Sequence, residues 1–477
     1  MATPRQEQDE KHAFPPPEHA VTAYAERAGL GKRDEEPQPP PLLGLPLLDR
    51  LRRIDTEERY RADWSRQCEE WTATADSRYR AIVANQPAHT RTPAVRIGVK
   101  DTIDVAGFPT GLGLRHHRHY PAISASAVAT IERTGDQAAV TSKVVSTELN
   151  IGVGSGCINP CFPHIDPAGS STGAGVAVAA NLCDLGVGTD VLGSVRWPAG
   201  HCGTVGLRLT HTPAALNGVF PLSPPMDAIG LVTRTAADLS LLWERLGLHR
   251  LVANRESGDV APARHYRVGV VDNVRGDHCD PEVLDTLEAV CGWLADDGHA
   301  VDEVRLEQLW RSRGDAWQLC ARQAWDGFQH WRQWITVPLL ESTSRALETG
   351  ARVGDQQYAR ILQELEACRD AAPTMFTRQD VWLLPLDPSP PPETRSHEPA
   401  KSTIPAPGEP DYERRVGYTP IASFAGFPAI TVPVRSSRVN GAPLSVQIVG
   451  PPGGEEQIID LAHRIQNHAD DFEQQPA

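Results

Sequence analysis

Between residues 46 and 85, apolar side chains recur at helical spacing, beginning with Leu47, Leu48, Leu51 and Ile54, and predict two helices. The pattern then turns to alternation of two element types. Residues 96–100 read as a strand, 125–133 as a helix, 138–143 as a strand, 172–181 as a helix and 185–188 as a short strand. Ala174, Gly175, Ala177, Ala179 and Ala180 make the second of these helices slim enough to lie close on a sheet. From 211 the chain reads as a loop, followed by a helix at 235–246, a strand at 266–272 and a helix at 282–297. Residues 306–374 are largely helical and carry Trp310, Trp317, Trp325, Trp331 and Trp334, a stretch expected to be core. Strands follow at 381–386, 429–434 and 444–449, the last two around a turn at Asn440-Gly441, and a helix closes the pattern at 456–468. Strands alternating with helices imply a sheet flanked by helices.

Three stretches depart from this density. Residues 1–45 are polar and proline-rich, and read as an arm. The helices of 46–90 are expected to pack on the core. Residues 388–415 form a second proline-rich stretch, expected at the surface, and 211–380 a mainly helical region suited to setting specificity.

The net charge of −15 and the absence of any lysine and arginine cluster argue against a nucleic-acid partner. No stretch approaches about 18 uninterrupted apolar residues, so no membrane partner is expected. Nine cysteines without zinc-ligand spacing predict buried reduced thiols, no metal and, with a hydrophilic N-terminus, a cytoplasmic location. Lysine is scarce, limited to Lys11, Lys32, Lys100, Lys143 and Lys401.

That scarcity draws attention to Lys100 at the end of an apolar strand, in IGVKDTIDVAGFPT (97–110). Ser170 lies in AGSSTGA (168–174) and Ser194 in GTDVLGSVRWPA (188–199). Amide cleavage needs a nucleophile, a group that takes and returns a proton, and fixed donors for an oxyanion. Neutral Lys100 would serve as base, Ser170 would relay the proton and Ser194 would attack. The backbone amides of Val191, Leu192, Gly193 and Ser194 are candidates for the oxyanion hole. A phosphate-binding reading of 169–175 fails for want of a closing Gly-Lys-Ser/Thr.

Together these three segments resemble the amidase signature family of serine hydrolases. The resemblance extends through 135–150, where Lys143 and Glu148 hold recurring non-catalytic places, and through 202–210, 381–385 and 419–450. It implies one large α/β domain over 91–470, with a central twisted mixed β-sheet flanked by helices on both faces. It implies Ser194 as acyl-forming nucleophile, Ser170 as bridging serine with a cis peptide bond, and Lys100 as general base and acid. Ser171, Asp190 and Arg196 would brace the site, and Gly169, Leu192 and Trp197 would line the substrate. No cofactor is implied, the partner is a small-molecule amide, and family habit adds a homodimer. Two positions depart from the family pattern: Leu192-Gly193 and Thr172-Gly173 stand where it has paired glycines. Leucine at a positive φ would cost about 1 kcal/mol or more, and its bulk would narrow the acyl pocket.

The leading expectation is an amidase that hydrolyses a carboxylic amide. The alternative keeps the acyl-enzyme but transfers it to an amine or other acceptor. An A-type subunit of a tRNA-dependent amidotransferase ranks lower, as does a non-catalytic binding protein on this fold.

Overall fold

Eleven strands form one sheet, and a computed structural model describes them within residues 37–86, 92–133, 137–152, 154–252, 264–276, 279–394, 397 and 417–469. The strands are β1 (Ile82–Asn85), β2 (Val95–Lys100), β3 (Ala138–Val144), β4 (Leu185–Asp190), β5 (Val205–Arg208) and β6 (Ala228–Thr233). After these come β7 (Arg267–Val271), β8 (Ala300–Val304), β9 (Val381–Pro385), β10 (Ala429–Ser436) and β11 (Pro443–Val449). Their order is β1-β3-β2-β4-β6-β5-β10-β11-β9-β7-β8. Pairing is parallel through β3-β2-β4 and again through β9-β7-β8, and antiparallel elsewhere. The mixed sheet expected from the sequence is therefore present.

Each face of the sheet has its own core. On β6, Ile229 and Leu231 join one apolar cluster and Val232 joins the other, as the two-residue period of a strand requires. The second cluster is covered by α1 (Leu47–Thr56), α2 (Glu58–Tyr79) and a slim helix further along the chain. In α2, Trp64 Nε1 donates to Pro93 O and Trp71 Nε1 to Ala180 O, both at 2.8 Å, which ties these helices to the sheet.

The remaining helices are α3 (Ser126–Glu132), α4 (Thr172–Ala179), α5 (Arg196–His201), α6 (Ala236–Arg245), α7 (Pro281–Asp296), α8 (Glu307–Trp331), α9 (Glu341–Ala351), α10 (Asp355–Met375), α11 (Pro420–Ala425) and α12 (Glu455–His468). Helix α4 is the slim one. A Cβ on Gly173 would collide with Val145 N, so only glycine fits there, whereas Thr172 next to it donates its hydroxyl to Ala168 O. The departure at Thr172 thus falls on the tolerant member of the pair.

The sequence reading needs correction in three places. Residues 228–233 are not loop but β6, which joins β4 to β5 and holds the centre of the sheet together. Residues 82–85, at the end of the stretch expected as helix, form edge strand β1, and edge strand β8 is an addition to the expected pattern. The helical stretch after 306 divides into α8, α9 and α10. Most of the proline-rich arm and of the 388–415 stretch lie outside the described residues. Six of the nine cysteines are buried. No helix among the described residues is long and apolar enough to cross a membrane.

Candidate active site

Lys100 is the last residue of β2 and has a parallel strand on each side, β3 and β4. The carboxyl ends of such strands are where an α/β sheet leaves room for a site. Its Nζ, fully buried, donates to Ser170 Oγ and Thr189 Oγ1, each at 2.8 Å. Ser170 follows a cis Gly169-Ser170 peptide bond and lies two residues before the first turn of α4. Ser194 lies in the turn between β4 and α5, partly open to a cavity. Ser171 N donates to Ser194 O at 3.0 Å and joins the two serine segments directly. Ser171 Oγ donates to Thr189 O at 3.0 Å and accepts from Thr189 N at 3.3 Å, so it also holds the strand end that presents Thr189 to Lys100.

Asp190 organises the nucleophile turn. Its carboxylate accepts from the amides of Gly193 (3.0 Å), Val195 (3.2 Å) and Arg196 (3.4 Å), and from Arg196 Nε (3.0 Å) and Nη2 (2.9 Å). Arg208 adds Nη1 against both the carboxylate and the backbone oxygen of Asp190. Burial pushes this carboxyl pKa upward, but the charges of Arg196 and Arg208 outweigh it and hold the group well below the usual carboxylate range. Arg196 continues to Thr419 O and Gln447 Oε1, both 3.0 Å, and to Ser423 Oγ at 3.1 Å.

Two sequence expectations about this turn change. The Gly193 N–H is committed to Asp190, so Gly193 is removed from the candidate oxyanion donors, because an amide already donating to a carboxylate is not free for a substrate oxygen. No hydrogen bond among the described residues engages the amides of Val191 and Leu192, and both residues line the cavity with Ser194. The positive φ falls on Gly193 (112°) and not on Leu192, so leucine carries no backbone strain here. A Cβ on Gly193 would lie 2.7 Å from Thr419 Oγ1, which makes glycine necessary at the second position of the pair.

Thr189, Arg208, Asp227, Thr419 and Gln447 escaped the sequence reading. Thr189 sits inside the Ser194 motif and could have been picked out by its position. Asp227 offered no signal. It is buried in the loop before β6, and its Oδ2 accepts from Leu222 N and Ser223 N at 3.2 Å. Burial pushes its carboxyl up to about 6 against those amides, Arg208 and Lys100. Burial also brings the Lys100 amine down to about 7, with the charges of Asp227 and Asp190 pulling the other way. An amine at that value is largely neutral in mildly alkaline water and able to accept a proton.

The cavity at Ser194 encloses about 60 Å³. Gly169, Leu192 and Trp197 line it, together with Ile151, Leu222 and Trp317. The Trp197 indole is buried, and its N–H has no partner among the described residues. Lys143 plays a different part: its Nζ donates to Ile103 O at 2.7 Å and Pro109 O at 3.2 Å, fastening the loop after β2. Glu148 Oε2 accepts from Leu340 N at 2.8 Å, at the start of α9. Among the described residues no three His, Cys, Asp or Glu side chains converge as a metal site.

Residues 46–459 match the amidase family. The chain belongs to that family. Its sequence is 31% identical over 320 residues to the 2-amino-5-chloromuconic acid deaminase of Comamonas testosteroni, covering 65% of this chain and 66% of that protein, just under two thirds of its length. It is 27% identical over 417 residues to a glutamyl-tRNA(Gln) amidotransferase subunit of Deinococcus radiodurans, covering 78% and 83% respectively. In fold it is similar to a substrate complex of 6-aminohexanoate cyclic dimer hydrolase, with a TM-score of 0.74, 21% identity, and coverage of 91% of this chain and 99% of that one.

Proposed function

We propose that this member of the amidase family hydrolyses a small carboxylic amide through an acyl-enzyme on Ser194. The observation that carries the reading is the buried Lys100 amine, brought down to about 7 and 2.8 Å from Ser170 Oγ. Neutral Lys100 accepts the Ser170 proton while Ser170 takes the proton of Ser194, whose Oγ attacks the carbonyl carbon. The amides of Val191 and Leu192 receive the developing oxyanion. The proton returns through Ser170 to the leaving nitrogen, the C–N bond breaks, and a water repeats the sequence to release the acid. Asp190 and Arg196 hold the turn in place, and Ser171 positions Thr189 against Lys100. Gly169, Leu192 and Trp197 contact the acyl group. The apolar walls favour an uncharged one.

A small, largely apolar chamber also suits transfer of the acyl group to an amine in place of water. Free acid as product supports hydrolysis; a coupled amide supports transfer. An amidotransferase-subunit role requires partner proteins to copurify with the chain. The deciding test is labelling by a fluorophosphonate with and without Ser194→Ala, alongside amide turnover. Ser194→Ala and Lys100→Ala are each expected to lower kcat by roughly three orders of magnitude or more. Near-normal turnover in Lys100→Ala would remove the proposed base.

The pH dependence has a defined sign. The working form of Lys100 is unprotonated, so kcat/KM rises with pH through about 7 and then levels. A profile flat from about pH 6 to about pH 9 is incompatible with this role.

A further inference from the structure

The cavity at Ser194 shares its apolar wall with a second, smaller space. Ile151, Leu222 and Ala324 line the cavity and also line this space, a constriction of about 10 Å³ closed by Phe220, Pro221 and Trp331. Those same three residues line a wider outer cavity of about 410 Å³, to which Trp334 and Ile335 contribute. The three spaces therefore adjoin in succession, each sharing three lining residues with the next.

The outer cavity has an aromatic wall. Ring centroids of Phe220 and Trp331 are 5.6 Å apart and those of Trp331 and Trp334 5.7 Å, with planes tilted by 50° and 51°. Trp334 is 59% exposed and Trp331 37%, so a large apolar area faces water at a cost that a ligand would relieve.

The two sides of the constriction differ in how firmly they are held. On one side, Phe220 N donates to Thr102 O at 2.9 Å, Asn150 Nδ2 donates to Phe220 O at 3.2 Å, and Leu222 N donates to Asp227. On the other, Trp331 is the last residue of α8 and Trp334 lies past its end.

We propose that the outer cavity is a second compartment of the same site, which binds an aromatic ring carried by the amide substrate on an unbranched apolar linker through the constriction. This rests on Ser194 being the acyl-forming nucleophile. Tilted aromatic walls favour edge-to-face contact with such a ring, and a thin linker is what a passage between Phe220 and Trp331 admits. On the polar side of the cavity, Asp104 already accepts from Thr110 Oγ1 at 2.8 Å, and His117 and His119 stand beside it opposite the aromatic wall.

The test compares short aliphatic amides with phenylalkyl amides of increasing linker length, the ring placed either on the acyl or on the amine side. Each is assayed with the full chain, with Trp334→Ala and with Trp334→Phe. The ratio of kcat/KM for the best ring-bearing amide to that for the short amide is expected to fall about tenfold in Trp334→Ala and to recover in Trp334→Phe. Whichever series responds identifies the half of the substrate that crosses the constriction. A ratio independent of Trp334 in both series overturns the proposal, as does a change in sedimentation mass on Trp334→Ala with no change in ratio, since the tryptophans would then cover a second copy. Calorimetric binding of the same phenylalkyl amides to Ser194→Ala, with and without Trp334→Ala, separates the two readings. Trp334-dependent binding with no turnover of any amide by the full chain removes the amidase reading and leaves the compartment. Turnover with no such dependence does the reverse.

Discussion

A buried aspartate stands at either end of β4, and each is held by two arginines. At the amino end, Asp184 accepts from Arg96 N (2.8 Å), Nε (3.2 Å) and Nη2 (2.7 Å), and Arg50 Nη2 lies 2.7 Å away. At the carboxyl end, Asp190 meets Arg196 and Arg208 in the same manner. Both carboxyls are pushed up by burial and pulled further down by their arginines, so both ionise well below the usual range. The difference lies in the other donors. Among the described residues Asp184 engages backbone only at Arg96, and through Arg50 it joins α1 to the sheet. Asp190 takes three amides from the turn that carries Ser194. The ion-pair chemistry is common to both ends, and the position of those amides separates support of the fold from shaping of the site.

Substitution should break this symmetry. Asp190→Asn is expected to lower kcat by roughly two orders of magnitude, because amides and arginine lose the charge that sets the turn. Asp184→Asn leaves two buried arginines unbalanced and is expected to cost about 3 kcal/mol or more in denaturant unfolding, with kcat per labelled site unchanged within about twofold. Equal losses of kcat at both ends would dissolve the distinction. Acid would not reveal it: a carboxyl with a lowered folded pKa contributes stability that is present above about 4 and is lost as pH falls further, at both ends alike.

Gly193→Ala tests the geometry of the turn without touching charge. With φ at 112° and Thr419 in the way, kcat should fall about tenfold or more while the melting temperature moves by a few degrees. A smaller effect is expected from Asp227→Asn, which removes a charge that raises the Lys100 pKa. The rising limb of the pH profile should then move to lower pH, and a shift to higher pH would contradict the assigned coupling. Leu192→Gly is the mildest, since leucine is unstrained: broader acceptance of acyl groups is expected, read as the spread of kcat/KM across a substrate series.

The two ends also differ in how much of them could be read from the chain. Motifs around Lys100, Ser170 and Ser194 are dense in glycine and serine, and the strands and helix between them follow clear periods, so this half of the sheet was legible. Strand β6 was not, because AIGLVT is buried on both faces and shows no alternation. Edge strand β8 (AVDEV) is mostly exposed and carries an acidic pair at its centre, which hides it for the opposite reason. Asp227 comes beside Lys100 only through the return of the chain along β6. The commitment of the Gly193 amide likewise depends on where one carboxylate oxygen lies, which spacing does not report.

Arg196 has a consequence for how this protein comes into being. It reaches oxygen atoms on residues 223 and 251 positions further along, Thr419 and Gln447. When Lys100, Ser170 and Ser194 have been translated, the clamp that shapes the Ser194 turn has not. The turn therefore acquires its final shape only after α11 and β11 have emerged and folded back onto Arg196.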